Sequence, residues 1–315
     1  MSLQIFYGVG NQYKDVTSQA FKRLSKTPEF INNKRLIIPR TDGARAYIFG
    51  DPFFGSLKHI LVVKNGISKL YDHTQDIIID ISDVDYSSYL SNKIDKVKLH
   101  SFVDPEEKLS YIHQHIFLEN INIMHEYPEQ VLSCRFLPSN AHVLEIGANV
   151  GRNTMVIGTI LNDDRNLVTL ECDQNTVNTL RHIRDINNYN FNIEDSALSK
   201  RKLIQKGWET IPSDNDLPGY TRVKTITFSE LEAKYNITFD TLVADCEGAL
   251  YYIFMDEPDM LNNIKLFLTE NDYVNYTHKQ KVDEILISKG FKRIYYEGGG
   301  WGPCANHFYE AWAKI

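Results

Sequence analysis

The sequence predicts an α/β protein in which a mostly parallel sheet carries helices on both faces, preceded by a smaller β-rich domain. Three observations lead there. From His142 onward, strand-like and helix-like stretches alternate to the C-terminus, the pattern of a parallel sheet covered by helices. The first strand of that series, "HVLEIG", runs straight into a glycine-bearing turn and then a helix. The first hundred residues instead hold short β-type runs separated by Gly, Asp, Asn and Pro, the punctuation of a small β module.

In chain order, residues 1–100 offer the strand runs "LQIFYG", "KRLIIP", "ARAYIFG", "HILVVKNG" and "DIIIDI". One amphipathic helix near "DVTSQAFKRLSK" interrupts them, with Asp15 or Thr17 as N-cap. Residues 101–140 change to helical spacing in "DPEEKLSYIHQHIFLENI" and "PEQVLSCRFL", each with acids in its first turn. They read as a helical connector. His113 and His115 fall within it, but two-residue spacing on a helix turns them about 200° apart, a poor arrangement for one metal ion.

Residues 141–315 supply the alternating series. Its strands are "HVLEIG", "NLVTLEC", "FNIEDSAL", "VKTITF", "FDTLVADC", "IKLFLTEN", "FKRIYYEG" and "FYEAWAK", and its helices run through "NTMVIGTIL", "NTVNTLRHIRDI" and "HKQKVDEILISKG". Ligands of such sheets sit beyond the carboxyl ends of the strands.

Composition narrows the function classes. The net charge of −7 lies in the second part: residues 1–140 carry 16 acids and 16 bases, residues 141–315 carry 25 and 18. An acidic catalytic part argues against nucleic acid as partner, since Lys and Arg on phosphate dominate that affinity. Cys134, Cys172, Cys246 and Cys304 form no CxxC pair, which suggests a reducing, cytoplasmic setting without zinc or a disulfide framework. No signal-peptide pattern opens the chain, and no run of about 18 apolar residues suggests a membrane span.

The sharpest motif is "VLEIGANVGRNT", Val143 to Thr154. A tight turn that lets backbone approach a ligand needs residues without a Cβ, here Gly147 and Gly151. The G-x-x-x-G spacing is not the dinucleotide fingerprint, and Glu145 stands two residues before the first glycine. A carboxylate there would repel a pyrophosphate yet suit a cation, and S-adenosylmethionine is one. Glu171, ending "NLVTLEC", can accept from both ribose hydroxyls. Asp195 and Ser196, ending the next strand, would lie near the adenine.

These residues resemble the FkbM family of S-adenosylmethionine-dependent methyltransferases. The likeness runs over roughly Val143 to Phe291 and rests on "VLEIGANVG", the acid ending the next strand, "SALS", and "DTLVADCEGA" followed by "LFLTEN". It implies a Rossmann-like class I methyltransferase sheet, S-adenosyl-L-methionine as cofactor, and O-methylation of hydroxyls, often on sugars of glycans. The first hundred residues have no counterpart in a minimal member, and the arrangement resembles the longer members of the family encoded by large DNA viruses. The positions the resemblance carries over are Glu145, Gly147, Asn149 and Gly151 in the loop, Glu171 for the ribose, and Asp245 and Glu247 in the acidic motif; the expected cofactor set as a whole is Glu145, Gly147, Asn149, Gly151, Asn153, Glu171, Asp195, Ser196 and Asp245. Two departures stand out: Glu145 replaces the more usual Asp, and "VADCEG" lacks the Lys of the commoner Lys-Ile-Asp-Val-Glu-Gly.

Asp245, Glu247 and Glu270 form the expected catalytic set, with Asp272 two residues on. In a continuing strand Asp245 and Glu247 would share a face. Methyl transfer to a hydroxyl is an in-line displacement needing a proton acceptor or a divalent cation such as Mg²⁺. Asp245 and Glu270 are the candidate metal ligands, of the hard oxygen type that cation prefers. Both mechanisms stay open, with the direct base ahead. The glycine run before Trp301 could form a substrate lid, His307 is a further candidate, and "FYEAW" reads equally as an edge strand.

The expected activity is therefore S-adenosylmethionine-dependent O-methylation of a saccharide, with no nucleic-acid or membrane partner and room for a homo-oligomer. The competing readings are a degenerate glycan-binding or assembly protein, and a methyltransferase for another small-molecule hydroxyl. A nucleic-acid or protein methyltransferase is disfavoured, since no DPPY-like or NPPY-like motif follows the fourth strand.

Overall fold

The computed structural model describes residues 3–25, 27–50, 53–86, 94–118, 121–207 and 209–314. Two compact units emerge, one of residues 1–94 with 110–122, the other of residues 95–109 with 123–315. The helices expected in the connector are thus shared between them. Residues 119 and 120 of the expected "IFLENI" continuation lie outside the described residues.

The first unit is built on β1 (Leu3–Val9), β2 (Gln12–Asp15), α1 (Thr17–Leu24), α2 (Pro28–Asn33), β3 (Arg35–Ile38), α3 (Asp42–Phe49), β4 (His59–Lys64), β5 (Ile67–Tyr71) and β6 (Ile77–Asp80). An antiparallel sheet of order β2-β1-β4-β5 and a separate β3-β6 pair form its β layers. Alternation in β1 sends Leu3, Ile5 and Tyr7 into a core with Phe21, Phe30 and Ile60. The N-cap of α1 is Val16, which makes no side-chain cap, rather than the expected Asp15 or Thr17; the Asp15 carboxylate instead accepts from the Thr17 N–H at 2.9 Å.

The expected strand "ARAYIFG" is instead the helix α3. Thr41 Oγ1 caps it by accepting from the Ala44 N–H at 3.3 Å. Arg45 and Phe49, four apart, share its buried face, and the Arg45 guanidinium donates to the carbonyls of Pro39, Asp72 and Gln75. A buried guanidinium with three carbonyl partners outweighs the β preference of Tyr-Ile-Phe.

The second unit contains α4 (Lys96–Ser101), the start of α5 (Pro105–His113), α6 (Tyr127–Phe136), β7 (Val143–Ile146), α7 (Arg152–Ile160), β8 (Leu167–Leu170), α8 (Gln174–Ile186) and β9 (Asn192–Glu194). It continues through the short strands β10 (Ala197–Leu198), β11 (Leu203–Lys206), β12 (Glu209–Pro212), β13 (Thr221–Val223) and β14 (Thr225–Ile226). Then follow α9 (Phe228–Tyr235), β15 (Thr241–Ala244), α10 (Leu250–Asp256), β16 (Leu266–Glu270), α11 (Tyr276–Ser288), β17 (Phe291–Glu297) and β18 (Tyr309–Lys314).

Its sheet has the order β17-β18-β16-β15-β7-β8-β9, parallel from β16 to β9, with β18 antiparallel to both neighbours. This is the Rossmann-like sheet the sequence leads one to expect. Every residue of β7, β8 and β15 is buried, so both faces are covered. Phe239, Phe254 and Phe267 are fully buried in its core, each worth about 1.5–3 kcal/mol.

One expected strand lands elsewhere. Thr225–Ile226 of "VKTITF" pairs with Ala197–Leu198 in a sheet of its own, and β11 to β13 form a separate antiparallel sheet. "FYEAWAK" is an interior strand, because β17 pairs along its outer side. No helix among the described residues is long and apolar enough to cross a membrane.

Candidate functional site

The register of the parallel strands fixes the site. Ile146 aligns with Leu170 on one side and Ala244 on the other, and Ala244 with Thr269. The next residue of each strand therefore stands on one rim: Gly147, Glu171, Asp245 and Glu270. The glycine loop and the acids that sequence spacing singles out are brought together by strand pairing.

The loop is shaped by backbone that favours glycine. Gly147 and Gly151 have φ of +91° and +94°, and Asn149 between them has +50°. The N–H groups of Gly147 and Ala148 both donate to the Leu170 carbonyl, at 3.1 and 2.9 Å. Asn149 is held on two sides: its backbone N–H donates to Glu171 at 3.0 Å and its side-chain amide to Glu126 at 3.1 Å. Glu126 also accepts from Arg152 Nη1 at 2.7 Å.

Glu171 is half-buried, and its second oxygen accepts from the Asp173 N–H at 2.8 Å. Burial raises its carboxyl above the usual range. Beside it, burial pushes the Cys172 thiol up to about 11, so that thiol stays protonated.

At the other end of the rim, Asp245 and Glu270 meet a third carboxylate, Glu129 from α6. One oxygen of each lies within 4.8 Å of the other two. Burial, then Glu270, drives the Asp245 carboxyl well above its ordinary range. Burial, then Asp245 and Glu270, does the same to Glu129, which is hydrogen-bonded to Glu270. Repulsion among three such groups is relieved by a shared proton or a cation. This is the one set of metal-ligand geometry found among the described residues, and it contains neither His113 nor His115.

Sequence reasoning missed Glu129 and Glu126. Glu129 stood in the first turn of an expected helix and Glu126 just ahead of it, where acids occur simply because the helix N-terminus favours them. "HEYPEQVLSC" holds no spacing relation to strands more than a hundred residues away.

Glu247 does not share a face with Asp245. The strand ends at Ala244, and Glu247 is exposed with φ +50°, because the chain turns at once into α10. Its partner in the turn is Asp272, whose Oδ1 accepts from the Gly248 N–H at 2.9 Å. Asp272 Oδ2 is buried with no hydrogen-bond partner, and burial, then Glu247, pushes that carboxyl up to about 8.

Four expected cofactor residues have other partners. Glu145 is 3% exposed and accepts from the Thr154 and Thr169 hydroxyls, each at 2.6 Å, so it points into the fold. Asn153 accepts from Ser133 at 2.9 Å. Asp195 pairs with Lys224 and Arg181, and Ser196 donates to Glu194 at 2.8 Å. Trp301 is half-exposed, while the carbonyl of His307 accepts from Asn271.

No family model matches the sequence, and no curated protein matches it. Solved structures do align. The ribosomal protein L11 methylase of Lactobacillus delbrueckii subsp. bulgaricus has 11% identity and a TM-score of 0.41, over 62% of this chain and 81% of that one. An O-methyltransferase from Bacillus cereus in complex with SAH has 15% identity and a TM-score of 0.38, over 70% and 96%. Aeropyrum pernix fibrillarin with bound S-adenosyl-L-methionine has 11% identity and a TM-score of 0.36, over 60% and 74%. Similarity this low says nothing of activity, and the fold rests on the strand order itself.

Proposed function

We propose that the chain is an S-adenosylmethionine-dependent methyltransferase that methylates a hydroxyl of a sugar or glycan. The observation that carries this is the rim on which the glycine loop, Glu171, Asp245 and Glu270 stand side by side. A donor laid across it would have its ribose at Glu171 and its sulfonium toward the carboxylates. The residues fit a cation: the loop is closed by two acids, Glu171 and Glu126, and three more carboxylates lie beyond.

A sugar hydroxyl is a weak nucleophile, so a group must take its proton as carbon–oxygen bond formation proceeds. Asp245 is the base in our reading. Glu129 and Glu270 are already joined by one hydrogen bond, which leaves Asp245 to receive the proton, and its raised affinity for protons suits it to that task. The β-rich first unit we assign to holding a glycan or a second subunit, and the four free cysteines suit a cytoplasmic location.

A second reading is favoured by the closeness of Glu129, Asp245 and Glu270. Three hard oxygen ligands could hold Mg²⁺, which would lower the hydroxyl pKa when bound. The test of the main proposal is calorimetry with S-adenosylhomocysteine, followed by methyl transfer to a panel of saccharides with and without divalent metal. Absence of S-adenosylhomocysteine binding by the unaltered chain, or unchanged binding after Glu171→Ala, would sink it.

A further inference from the structure

We infer that Glu126 and Arg152 form the subsite for the amino-acid end of the donor, Arg152 taking its α-carboxylate and Glu126 its α-ammonium. The inference rests on the proposed use of S-adenosylmethionine. Neither residue was singled out by the sequence, and the pair is visible only in the folded chain.

The first argument is position. Arg152 is the opening residue of α7, directly after Gly151, and Glu126 is the N-cap residue directly before α6, with φ +61°. They meet at 2.7 Å with side chains 14% and 18% exposed, so the pair is sheltered yet reachable. Among the described residues this is the ion pair that sits on the glycine loop, because Glu126 holds the Asn149 amide with the same oxygen. Asn149 is thereby bracketed by Glu171 and Glu126. A ligand with its ribose at the first carboxylate and its sulfur toward Asp245 and Glu270 has its remaining arm to place. Glu126 lies on that side, since its charge acts on both Asp245 and Glu270.

The second argument is charge. The donor carries a sulfonium, an ammonium and one carboxylate. Glu126, Glu129, Asp245, Glu270 and Glu171 suit the two cationic groups, but an α-carboxylate among them would be repelled. Arg152 supplies the opposite sign there, and its planar fork of five donors can serve Glu126 and a second carboxylate together. The start of α7, a helix of nine residues, adds the partial positive charge of a helix N-terminus. An acid and a base fixed at hydrogen-bond distance are the complement of a zwitterion.

Two ligands separate this subsite from the rest of the cofactor site. S-adenosylhomocysteine keeps the amino-acid arm, whereas 5′-methylthioadenosine has the same adenosine and sulfur without it. Calorimetry on the full chain should show Arg152→Met weakening S-adenosylhomocysteine by roughly 10- to 100-fold, the usual worth of a charge-assisted hydrogen bond. Binding of 5′-methylthioadenosine should stay within about twofold, and Glu126→Gln should behave alike. No loss for either ligand overturns the inference and leaves the wider reading standing. If Arg152→Met loses both ligands equally, Arg152→Lys decides. Selective weakening of S-adenosylhomocysteine in that variant supports the subsite, and parallel loss assigns Arg152 to loop shape alone and overturns it. If the unaltered chain binds neither ligand, the methyltransferase reading falls, and this inference with it.

Discussion

Gly147 and Asp245 approach so closely that a Cβ built on Gly147 would stand 1.6 Å from the Asp245 carbonyl oxygen. The two strand ends are drawn together by the Asp245 N–H donating to the Ile146 carbonyl at 3.0 Å. The loop expected to cradle the donor and the acid expected to act on the acceptor are thus in backbone contact.

Gly147→Ala should therefore damage both stability and binding. Its left-handed backbone alone costs about 1–2 kcal/mol with a Cβ present, and relief of the overlap must part β7 from β15. Urea denaturation should show a loss at least that large, and calorimetry a loss of S-adenosylhomocysteine binding. A variant as stable as the parent would mean that the Gly147 and Asp245 backbones stand far enough apart to admit a Cβ.

Asp245→Asn keeps shape but cannot take a proton. Methyl transfer should fall by about 10²–10⁴-fold while S-adenosylhomocysteine still binds, as read by kcat beside calorimetric affinity. Activity within a few-fold of the parent would remove Asp245 from the role of base.

Activity should survive EDTA and be indifferent to added Mg²⁺ if Asp245 is the base. Loss with EDTA and recovery with Mg²⁺ would instead assign Glu129, Asp245 and Glu270 to a cation, and Glu129→Gln should then abolish the recovery.

Glu145 makes stability depend on pH. Burial raises its carboxyl from 4.5 to about 7, so between these values the folded chain holds a proton that the unfolded chain has lost. The stabilising contribution is complete below pH 4.5 and is lost as pH rises through about 7, by roughly 3 kcal/mol. Glu145→Gln keeps an acceptor for Thr154 and Thr169 without the titration. Denaturation at pH 5 and pH 8 should show the variant gaining on the parent at the higher pH; equal differences at both would refute the burial argument.

The extent to which the site was legible follows from where each residue lies along the chain. Gly147, Glu171, Asp245 and Glu270 each end a strand, and strand ends are marked by local signals that parallel pairing then aligns. Glu247 defeated the same logic, because alternation of faces assumes the strand goes on, whereas the chain turns after Ala244. Glu145 sat at the right spacing for a ligand but met two threonine hydroxyls that no local pattern announces. The helix α3 was hidden for a related reason: what stabilises it is the set of carbonyls that Arg45 reaches across the unit.

By itself, the sequence determined the alternating α/β series, the glycine loop and the row of strand-end acids, since all three depend on spacing within short stretches. Only the tertiary structure decided that Glu126 and Glu129 belong with them, that Asp195 and Ser196 are engaged by Lys224 and Glu194, and that "FYEAWAK" is an interior strand. A local pattern specifies which face of an element is apolar and where the element ends. Which distant charges come to lie together is set by packing, and it is those charges that decide whether a carboxylate holds a proton, a cation or a ligand.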